Sequence, residues 1–333
     1  MAFKRPKICL LFCGGSTLVG HDNALIEVTK KSDIEPWLAE ASELAILADV
    51  QTVFVYGDDR KTVAVETWIA LAKEIQKRYQ TFDGFVITHN FDSIIYTGAA
   101  LSFMLRNLGK PVVLTGAQET STAGPAIADR YHALGIRANL INAIQVATLN
   151  IAEVSIMYGN VLLRATQTVR AAGAKGELTA WLGDNLGEVD FGIKLSEQRQ
   201  HRQGSALLLR PEIEKNVFMM HVYPGFDLKA NLELLSPALR GIIVRATDVI
   251  LQPEEYAVLE DFSQRRRSPV FLLADAEAPI PKKTKLIVLP PMLPEIALTK
   301  VMWALGQNHS RAELRQRMNE NIAHEILIPP EKP

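Results

Sequence analysis

Cysteine is nearly absent from this sequence, which has two cysteines among 333 residues. Cys9 and Cys13 lie four residues apart in an apolar segment, where strand alternation places both on one face, a geometry that disfavours a local disulfide. Two thiols alone do not make a zinc site. The low cysteine content therefore argues against a disulfide scaffold, and we expect a reducing, cytoplasmic compartment.

An excess of charge of either sign is also missing, since 36 lysines and arginines balance 37 aspartates and glutamates to a net charge of -1. No overall field then attracts nucleic acid or an anionic membrane. The densest basic cluster, Arg265-Arg266-Arg267, has no interleaved aromatic residues and is interpreted as a solvated helix end. We therefore expect no nucleic acid among the partners.

Long apolar runs are absent too, because no stretch approaches the length that spans a bilayer. The basic start of the chain and the short apolar run over 7–13 are similar to a signal peptide. The run ends in Gly14-Gly15 without a small-residue cleavage pattern, so we interpret it as a first strand. We expect no membrane as a partner.

Strands alternate with helices along the chain. Continuous apolar runs, as over 7–13 and 84–88, predict buried parallel strands. Helical spacing follows them, for example over 65–79, and further helices are predicted over 33–47, 93–108 and 311–323. This order predicts an α/β fold whose mostly parallel sheet carries helices on both faces.

The length of the chain favours two domains, because a single core rarely grows this large. The segment 196–204 is polar and lacks periodicity, and the alternation of strands and helices restarts after it. We predict a larger N-terminal α/β domain over 1–195, a linker over 196–215 and a smaller C-terminal α/β domain over 216–333.

Polar clusters follow three of the predicted strands, and ligands of open α/β sheets bind beyond the carboxyl ends of the strands. The clusters are Gly14-Gly15-Ser16-Thr17, His89-Asn90-Phe91-Asp92-Ser93 and Gly116-Ala117-Gln118-Glu119-Thr120. The two glycines of the first cluster would leave N–H groups for an oxyanion. Taken alone, that cluster is more typical of a tight turn followed by a helix cap.

The other polar residues also have plain structural interpretations. Asp92 begins a predicted helix and would cap it, although we favour a role in ligand binding. His89 ends a strand, where a structural hydrogen bond is the expected role. Asp58-Asp59 has no second ligand cluster, so we expect no metal.

The stretch GFVITHNFDSIIYTGAALSFMLRNLGKPVVLTGAQ, residues 84–118, closely resembles the central stretch of cytoplasmic type I L-asparaginases. LLFCGGSTL near the start, VYPGFD at 222–227 and EIALTKVMWALGQ at 295–307 extend the resemblance over nearly the whole chain. The resemblance implies the two-domain asparaginase fold, no cofactor and hydrolysis of a side-chain amide, typically that of asparagine.

In that family a threonine attacks the amide carbon, a loop tyrosine assists, and a second threonine, a lysine and an aspartate relay protons. By resemblance these positions fall on Ser16, near Leu25, on Phe91, near Arg170 and on Asp92. Ser16 keeps a hydroxyl. Leu25 and Phe91 carry no transferable proton, and arginine stays protonated and cannot replace lysine as a base. The resemblance therefore implies a degenerate active site.

The predicted site combines these residues with their neighbours. The predicted catalytic residues are Ser16, Asp92 and Arg170, and the predicted substrate-binding residues are Gly15, Thr17, Asp59, Arg60, Asn90, Phe91 and Gln118. Thr17 would replace Ser16 as nucleophile only if the loop register shifts. Arg164 and Arg170 either hold an anion or pair with surface acids.

Two functions remain open at this point. The first is an amidohydrolase with weak activity or an altered substrate, in which Ser16 attacks and Asp92 anchors the substrate. The second is an inactive relative that binds a small, amino-acid-like ligand or serves as an oligomeric scaffold. Ammonia release from a panel of amides would separate them.

The expected assembly also follows from the resemblance, because the family forms dimers that often pair into tetramers. We expect a homodimer or homotetramer. The apolar segment Val249-Ile250-Leu251 replaces a polar Gly-Asn region of the family. It is expected near a neighbouring subunit, unless these residues merely start the next helix inside the core.

Overall fold

The computed structural model of the protein describes residues 5–13, 16–19, 25–28, 30–34, 42–55, 64–90, 92–117, 128–171, 177–204, 206–275, 277–307 and 310–327. For residues 16–19, 25–27, 31, 42, 45, 117 and 128–136 the description is of the backbone alone. The chain divides into two compact units, Met1–Pro211 and Glu212–Pro333. The division falls inside the range 196–215 that the sequence suggests as a linker.

The first unit is built from short strands and four α-helices within the described ranges. Its strands are β1 (Lys7–Phe12), β2 (Ser16–Val19), β3 (Leu25–Val28), β4 (Asp49–Phe54), β5 (Gly84–Asn90), β6 (Leu105–Arg106), β7 (Val112–Ala117), β8 (Val154–Tyr158), β9 (Val161–Arg164), β10 (Thr168–Arg170), β11 (Leu178–Ala180), β12 (Gly187–Val189), β13 (Ile193–Leu195) and β14 (Leu208–Leu209). Its helices are α1 (Ser42–Leu47), α2 (Val65–Arg78), α3 (Ile94–Met104) and α4 (Ala128–Ala147), with 3-10 turns at Lys31–Asp33 and Ala165–Gln167.

Eight of these strands form one sheet in the order β13-β12-β9-β8-β7-β5-β1-β4. Neighbours among β4, β1, β5, β7 and β8 pair in parallel. Neighbours among β8, β9, β12 and β13 pair antiparallel. Residues Ile8 to Phe12 of β1 are fully buried, as expected for a strand covered on both faces. The α/β fold predicted from the sequence, with a mostly parallel sheet and helices, is confirmed.

Helix α2 shows how the apolar pattern becomes packing. Its buried positions include Trp68, Leu71, Ala72 and Ile75, the face predicted from the spacing. Helix α3 differs, because nearly every residue from Ile94 to Met104 is buried. A helix without a polar face belongs in a protein core.

The second unit repeats the parallel pattern on a smaller scale. Its described strands β15 (Val217–His221), β16 (Gly241–Ala246), β17 (Val270–Ala274) and β18 (Ile287–Val288) pair in parallel in that order. Its helices are α5 (Leu228–Glu233), α6 (Pro253–Arg266), α7 (Pro294–Gly306) and α8 (Arg311–Asn319). The cluster Arg265-Arg266-Arg267 lies at the exposed end of α6, as predicted.

The helix predicted over 93–108 is too long. It ends at Met104, and Leu105–Arg106 instead pairs with Leu208–Leu209. Asn107, directly after this short strand, adopts a left-handed conformation with φ 56°, which asparagine tolerates better than most residues. The helix predicted over 311–323 likewise ends at Asn319, because the backbone beyond it turns to the Glu325 carboxylate.

One further expectation is wrong in the described residues. The cluster Gly14-Gly15-Ser16-Thr17, taken alone, is typical of a turn followed by a helix cap, but the backbone of Ser16–Val19 is a strand paired antiparallel with Leu25–Val28. Of the helix predicted over 33–47, the structure describes a 3-10 turn at Lys31–Asp33 and an α-helix from Ser42, and 35–41 lie outside the described residues. Strand-forming residues such as Val19 override the local turn signal.

The segment 249–251 is not the start of a helix. Helix α6 begins at Pro253, after a capping box between Gln252 and Glu255. Leu251 is buried in the core of the second unit, whereas Ile250 is 62% exposed. No helix in the described ranges is long and apolar enough to cross a membrane.

Candidate functional site

The strands that carry or precede the predicted polar clusters end at one edge of the large sheet. Phe12, the last residue of β1, pairs with Thr88 of β5, and Asn90 of β5 pairs with Ala117 of β7. The carboxyl ends of these three parallel strands therefore lie side by side, as a ligand site in such a sheet requires. The backbone of β2, which carries Ser16 and Thr17, contacts both β5 and β7. The structure thus brings the backbone of the segment predicted to carry the nucleophile to the same edge.

A buried hydrogen-bond network supports the end of β5. The Trp68 indole N–H donates to Thr97 Oγ1 at 2.9 Å, and Thr97 Oγ1 lies 2.8 Å from His89 Nε2. His89 Nδ1 lies 2.6 Å from the Asn90 carbonyl oxygen. A neutral imidazole with its proton on Nδ1 satisfies every contact, because the Thr97 hydroxyl then donates to Nε2.

Burial determines the protonation of this histidine. His89 is 1% exposed, and desolvation lowers its pKa to about 4, although the Asn90 carbonyl acts in the opposite direction. The imidazole is therefore neutral near pH 7. The structural hydrogen bond expected at His89 is present, and it holds the strand end directly before Asp92.

A tight turn leads from this strand end into α3. Asn90 Oδ1 accepts hydrogen bonds from the Ser93 backbone N–H at 3.3 Å and from the Ser93 hydroxyl at 2.8 Å. Ser93 is the N-cap of α3 and forms no side-chain cap bond. The Asp92 cap considered from the sequence is therefore not formed; Asp92 lies exposed in the turn. Its carboxylate is open to solvent at the sheet edge, as an anchor for a ligand cation must be.

Arg170 meets this turn from the other side. Its Nη2 donates to the backbone carbonyl oxygen of Asp92 at 2.9 Å. Arg170 ends β10, and β10 pairs with β11 so that Arg170 lies opposite Leu178. Two of the residues predicted to be catalytic, Asp92 and Arg170, are therefore neighbours, although 78 positions separate them in the chain.

Tyr158 adds a group that the sequence does not single out. It ends β8 at the same edge of the sheet and is partly buried. Burial raises the pKa of its hydroxyl, the charge of Glu177 raises it further, and the charge of Arg170 lowers it. Tyr158 and Glu177 thus lie within electrostatic range of the Arg170 region. A tyrosine at a strand end is the signal that would have indicated it.

Arg164, the second arginine considered for an anion, is committed to another role. Its Nε donates to Glu153 Oε2 at 2.6 Å and its Nη2 to Oε1 at 3.2 Å, with both side chains buried. The Gln200 backbone N–H also donates to Glu153 at 2.7 Å. The alternative that Arg164 pairs with an acid is correct, but this acid is buried, not on the surface. The pair joins β8 and β9 to the segment that follows β13.

Close packing of β5 and β7 requires a glycine at the site edge. A Cβ atom on Gly116 would lie 1.7 Å from the His89 carbonyl oxygen. Both cysteines are buried free thiols, as predicted, and the Cys13 thiol donates to the Thr88 carbonyl at 3.0 Å. The backbones of the three strands therefore approach each other closely beneath the site.

Several predicted residues lie outside the described residues or lack a described side chain. Gly15, Asp59, Arg60, Phe91 and Gln118 lie outside the described residues, as does Asp58. For Ser16, Thr17 and Leu25 the backbone is described but the side chain is not. The described part of the chain holds no group of three or more histidine, cysteine, aspartate or glutamate residues able to hold a metal ion.

The fold and the described site define a class: an α/β protein of two units that presents an exposed carboxylate and an arginine at the carboxyl ends of a parallel sheet. Comparison with known proteins gives the family. The family model "Asparaginase, N-terminal" matches residues 7–177, more than half of the chain. The chain belongs to the asparaginase family.

Relatives extend the likeness beyond the first unit. L-asparaginase 1 of Escherichia coli K12 is 28% identical over 80% of this chain and 82% of its own length. A glutamyl-tRNA(Gln) amidotransferase subunit of Pyrococcus abyssi is 28% identical over 96% of this chain and 77% of its own length. The crystal structure of L-asparaginase I from Vibrio cholerae O1 biovar eltor matches with a TM-score of 0.80 and 25% identity, covering 97% of this chain and 100% of that one. The predicted resemblance and two-domain fold are confirmed.

Proposed function

We propose that this protein is an asparaginase-like amidohydrolase that cleaves a side-chain amide weakly, or cleaves an altered substrate, with Ser16 as nucleophile. One observation carries the proposal: the guanidinium of Arg170, near which the relay lysine falls by resemblance, donates to the Asp92 carbonyl oxygen at 2.9 Å. A guanidinium in this position orients the turn and adds positive charge, but it cannot accept a proton. The scaffold of the reaction is kept while its proton relay is weakened.

The proposed reaction follows from the groups that remain. The Ser16 oxygen attacks the amide carbon, its proton leaves with the amide nitrogen, and ammonia departs as an ester forms on the serine. Water then cleaves that ester, which releases the acid and restores the hydroxyl. The Asp92 carboxylate holds a substrate ammonium group by a charge-assisted hydrogen bond. Without a relay, general acid–base assistance of about 10²–10⁴-fold is lost.

The second candidate is a protein that binds an amino-acid-like ligand without turnover. It is favoured by the opposite charges of the exposed Asp92 and Arg170 residues, which suit the ammonium and carboxylate groups of a zwitterion. In this alternative, Arg170 supplies fixed positive charge. The protein would then bind a small ligand without turnover or serve as an oligomeric scaffold.

Ammonia release from asparagine, glutamine and a panel of small amides tests the proposal. We expect slow release that Ser16→Ala abolishes and that Thr17→Val, which removes the hydroxyl of a predicted substrate-binding residue, reduces without abolishing. Release that survives Ser16→Ala but not Thr17→Val would assign the nucleophile to Thr17. No release from any amide, together with a thermal shift caused by an amino acid, would favour the second candidate.

We also propose that the protein assembles as a homodimer or homotetramer in the cytoplasm. The proposal is supported by the dimers that the resemblance implies and by Ile250, which is 62% exposed in the apolar segment 249–251. The two free cysteines suit a reducing compartment. Light scattering at micromolar concentration tests the assembly, and Ile250→Asp is expected to weaken it. A clean monomer mass for the unaltered protein would contradict the proposal.

A further inference from the structure

A cleft of about 890 Å³ lies wholly within the second unit. It is formed at the amino ends of the parallel strands, because Arg240 directly precedes β16, Pro269 precedes β17 and Lys285 lies two residues before β18. Pockets of this size accept small organic ligands. None of the residues predicted for the amide site lines it.

The described lining of this cleft is strongly basic. Five lining residues are cationic and two are acidic, a surplus of three positive charges in a chain whose net charge is -1. The cations are Arg240, Arg266, Arg267, Lys285 and Arg311, and the acids are Glu214 and Glu260. A concave surface with one prevailing sign of charge focuses its field on ligands of the opposite sign.

The acids are arranged so that they only partly offset this charge. Glu260 Oε1 accepts hydrogen bonds from the Thr284 hydroxyl and the Lys285 backbone N–H, both at 2.8 Å. Glu214 Oε2 lies 4.0 Å from Arg240 Nε, at the limit of an ion pair, and the Arg240 side chain is 72% exposed. Because the contact is long and Arg240 is exposed to solvent, Glu214 neutralises little of the Arg240 charge.

The buried floor of the cleft orients one guanidinium. Ser263 and Ser268 are buried, and the Ser263 hydroxyl donates to the Ser268 carbonyl oxygen at 2.8 Å. Arg311 Nη2 donates to Ser263 Oγ at 2.9 Å and to the Lys285 carbonyl oxygen at 3.1 Å. Both of these acceptors are neutral, so the contacts position Arg311 without cancelling its charge. A guanidinium held in this way is prepared for a planar, paired contact with an oxyanion.

We propose that this cleft binds a small phosphate-bearing molecule of about nucleoside diphosphate size. Several guanidinium groups around one cavity suit adjacent phosphate groups, which accept paired hydrogen bonds from arginine. The apolar lining residues offer a surface for an organic moiety, and they are Pro237, Leu239, Leu305 and Leu314. Inorganic pyrophosphate, which has the charge but no organic part, shares the same recognition chemistry and binds more weakly.

The test uses calorimetric titration of the full-length protein with ADP, pyrophosphate and adenosine. We expect ADP to bind more tightly than pyrophosphate, adenosine not to bind, and the affinity to fall as salt is raised. Arg240→Gln and Arg267→Asn each remove one lining charge and are expected to weaken ADP binding by about tenfold. Asparagine is chosen at 267 because that residue has φ 52°, a left-handed conformation that asparagine tolerates.

The matched control is Arg265→Gln. Arg265 lies on the same helix end, bears the same charge and pairs with Asp261 at 2.7 Å, but it does not line the cleft. It is expected to change ADP affinity by less than about twofold. Equal weakening by all three variants would show that the arginines act through general charge, and the cleft would not be the site.

Three other outcomes would overturn the proposal. They are the absence of binding by ADP and pyrophosphate up to about 1 mM, equal binding of adenosine and ADP, and displacement of ADP by a short RNA that binds more tightly. The first would show that the cations of the cleft bind no phosphate-bearing ligand. The last would assign the surface to nucleic acid.

Discussion

The buried hydrogen-bond network that joins Trp68 to His89 depends on the hydroxyl of Thr97. The substitution Thr97→Val removes this hydroxyl with little change in side-chain shape. The substitution leaves the Trp68 indole N–H and His89 Nε2 without the partner that lies at 2.9 and 2.8 Å from them. Each buried polar group left unsatisfied costs about 1–3 kcal/mol. We therefore expect Thr97→Val to lower the free energy of unfolding by about 2–6 kcal/mol.

The matched control for this substitution is Thr299→Val. Thr299 is also fully buried in a helix, but its hydroxyl donates to the Glu295 carbonyl oxygen of its own helix at 2.8 Å. Removing such a bond is expected to cost about 1 kcal/mol or less. Urea denaturation followed by circular dichroism measures both variants, with separate fits if the two units unfold at different concentrations. Equal losses for Thr97→Val and Thr299→Val would refute the bridging role of Thr97.

Three further outcomes follow from described contacts. Burial lowers the pKa of His89 to about 4 from its usual 6.5. The contribution of the neutral His89 side chain to the free energy of unfolding is therefore complete above pH 6.5 and is lost as the pH falls towards 4, by up to about 3 kcal/mol. Unfolding midpoints that stay constant from about pH 7 to 4.5, or that fall equally in His89→Gln, would contradict this. Lys300→Met leaves the fully buried Glu325 carboxylate, 2.6 Å from the lysine Nζ, without its cation, and should cost about 3–5 kcal/mol in urea denaturation; a loss below about 1 kcal/mol would show that the pair is dispensable. Asp92→Asn should weaken binding of any amino-acid ligand by roughly 10- to 100-fold in calorimetry, and an unchanged Kd would show that Asp92 does not anchor a ligand.

The sequence predicts the architecture well because the strongest physical signals are local. Continuous apolar runs such as Ile8 to Phe12 can be buried only between two layers, and the spacing of Trp68 to Ile75 defines one helix face. These patterns need no knowledge of distant partners. Element ends are less predictable, because they depend on contacts made elsewhere. Helix α3 ends at Met104 since the next two residues pair with a strand more than 100 positions later.

The site was only partly accessible to sequence reasoning for the same reason. A polar cluster at a strand end is visible in the sequence, and the fold brings two such ends, Phe12 and Asn90, to one edge. The contact between Arg170 and the Asp92 carbonyl depends on how β10 and β11 return to that edge. Thr97 was missed because a threonine in an apolar helix carries no local sign of a buried partner.

The most direct test of the proposed function is the kcat for L-asparagine of the purified protein, measured beside the variant Phe91→Thr/Arg170→Lys. Weak turnover would follow from a weakened proton relay, in which the guanidinium of Arg170 donates to the Asp92 carbonyl oxygen and cannot accept a proton. We therefore expect a kcat at least about 100-fold below the common enzyme median of about 10 s⁻¹, and a clear increase in the variant. A kcat near 10 s⁻¹ for the unaltered protein would contradict the account.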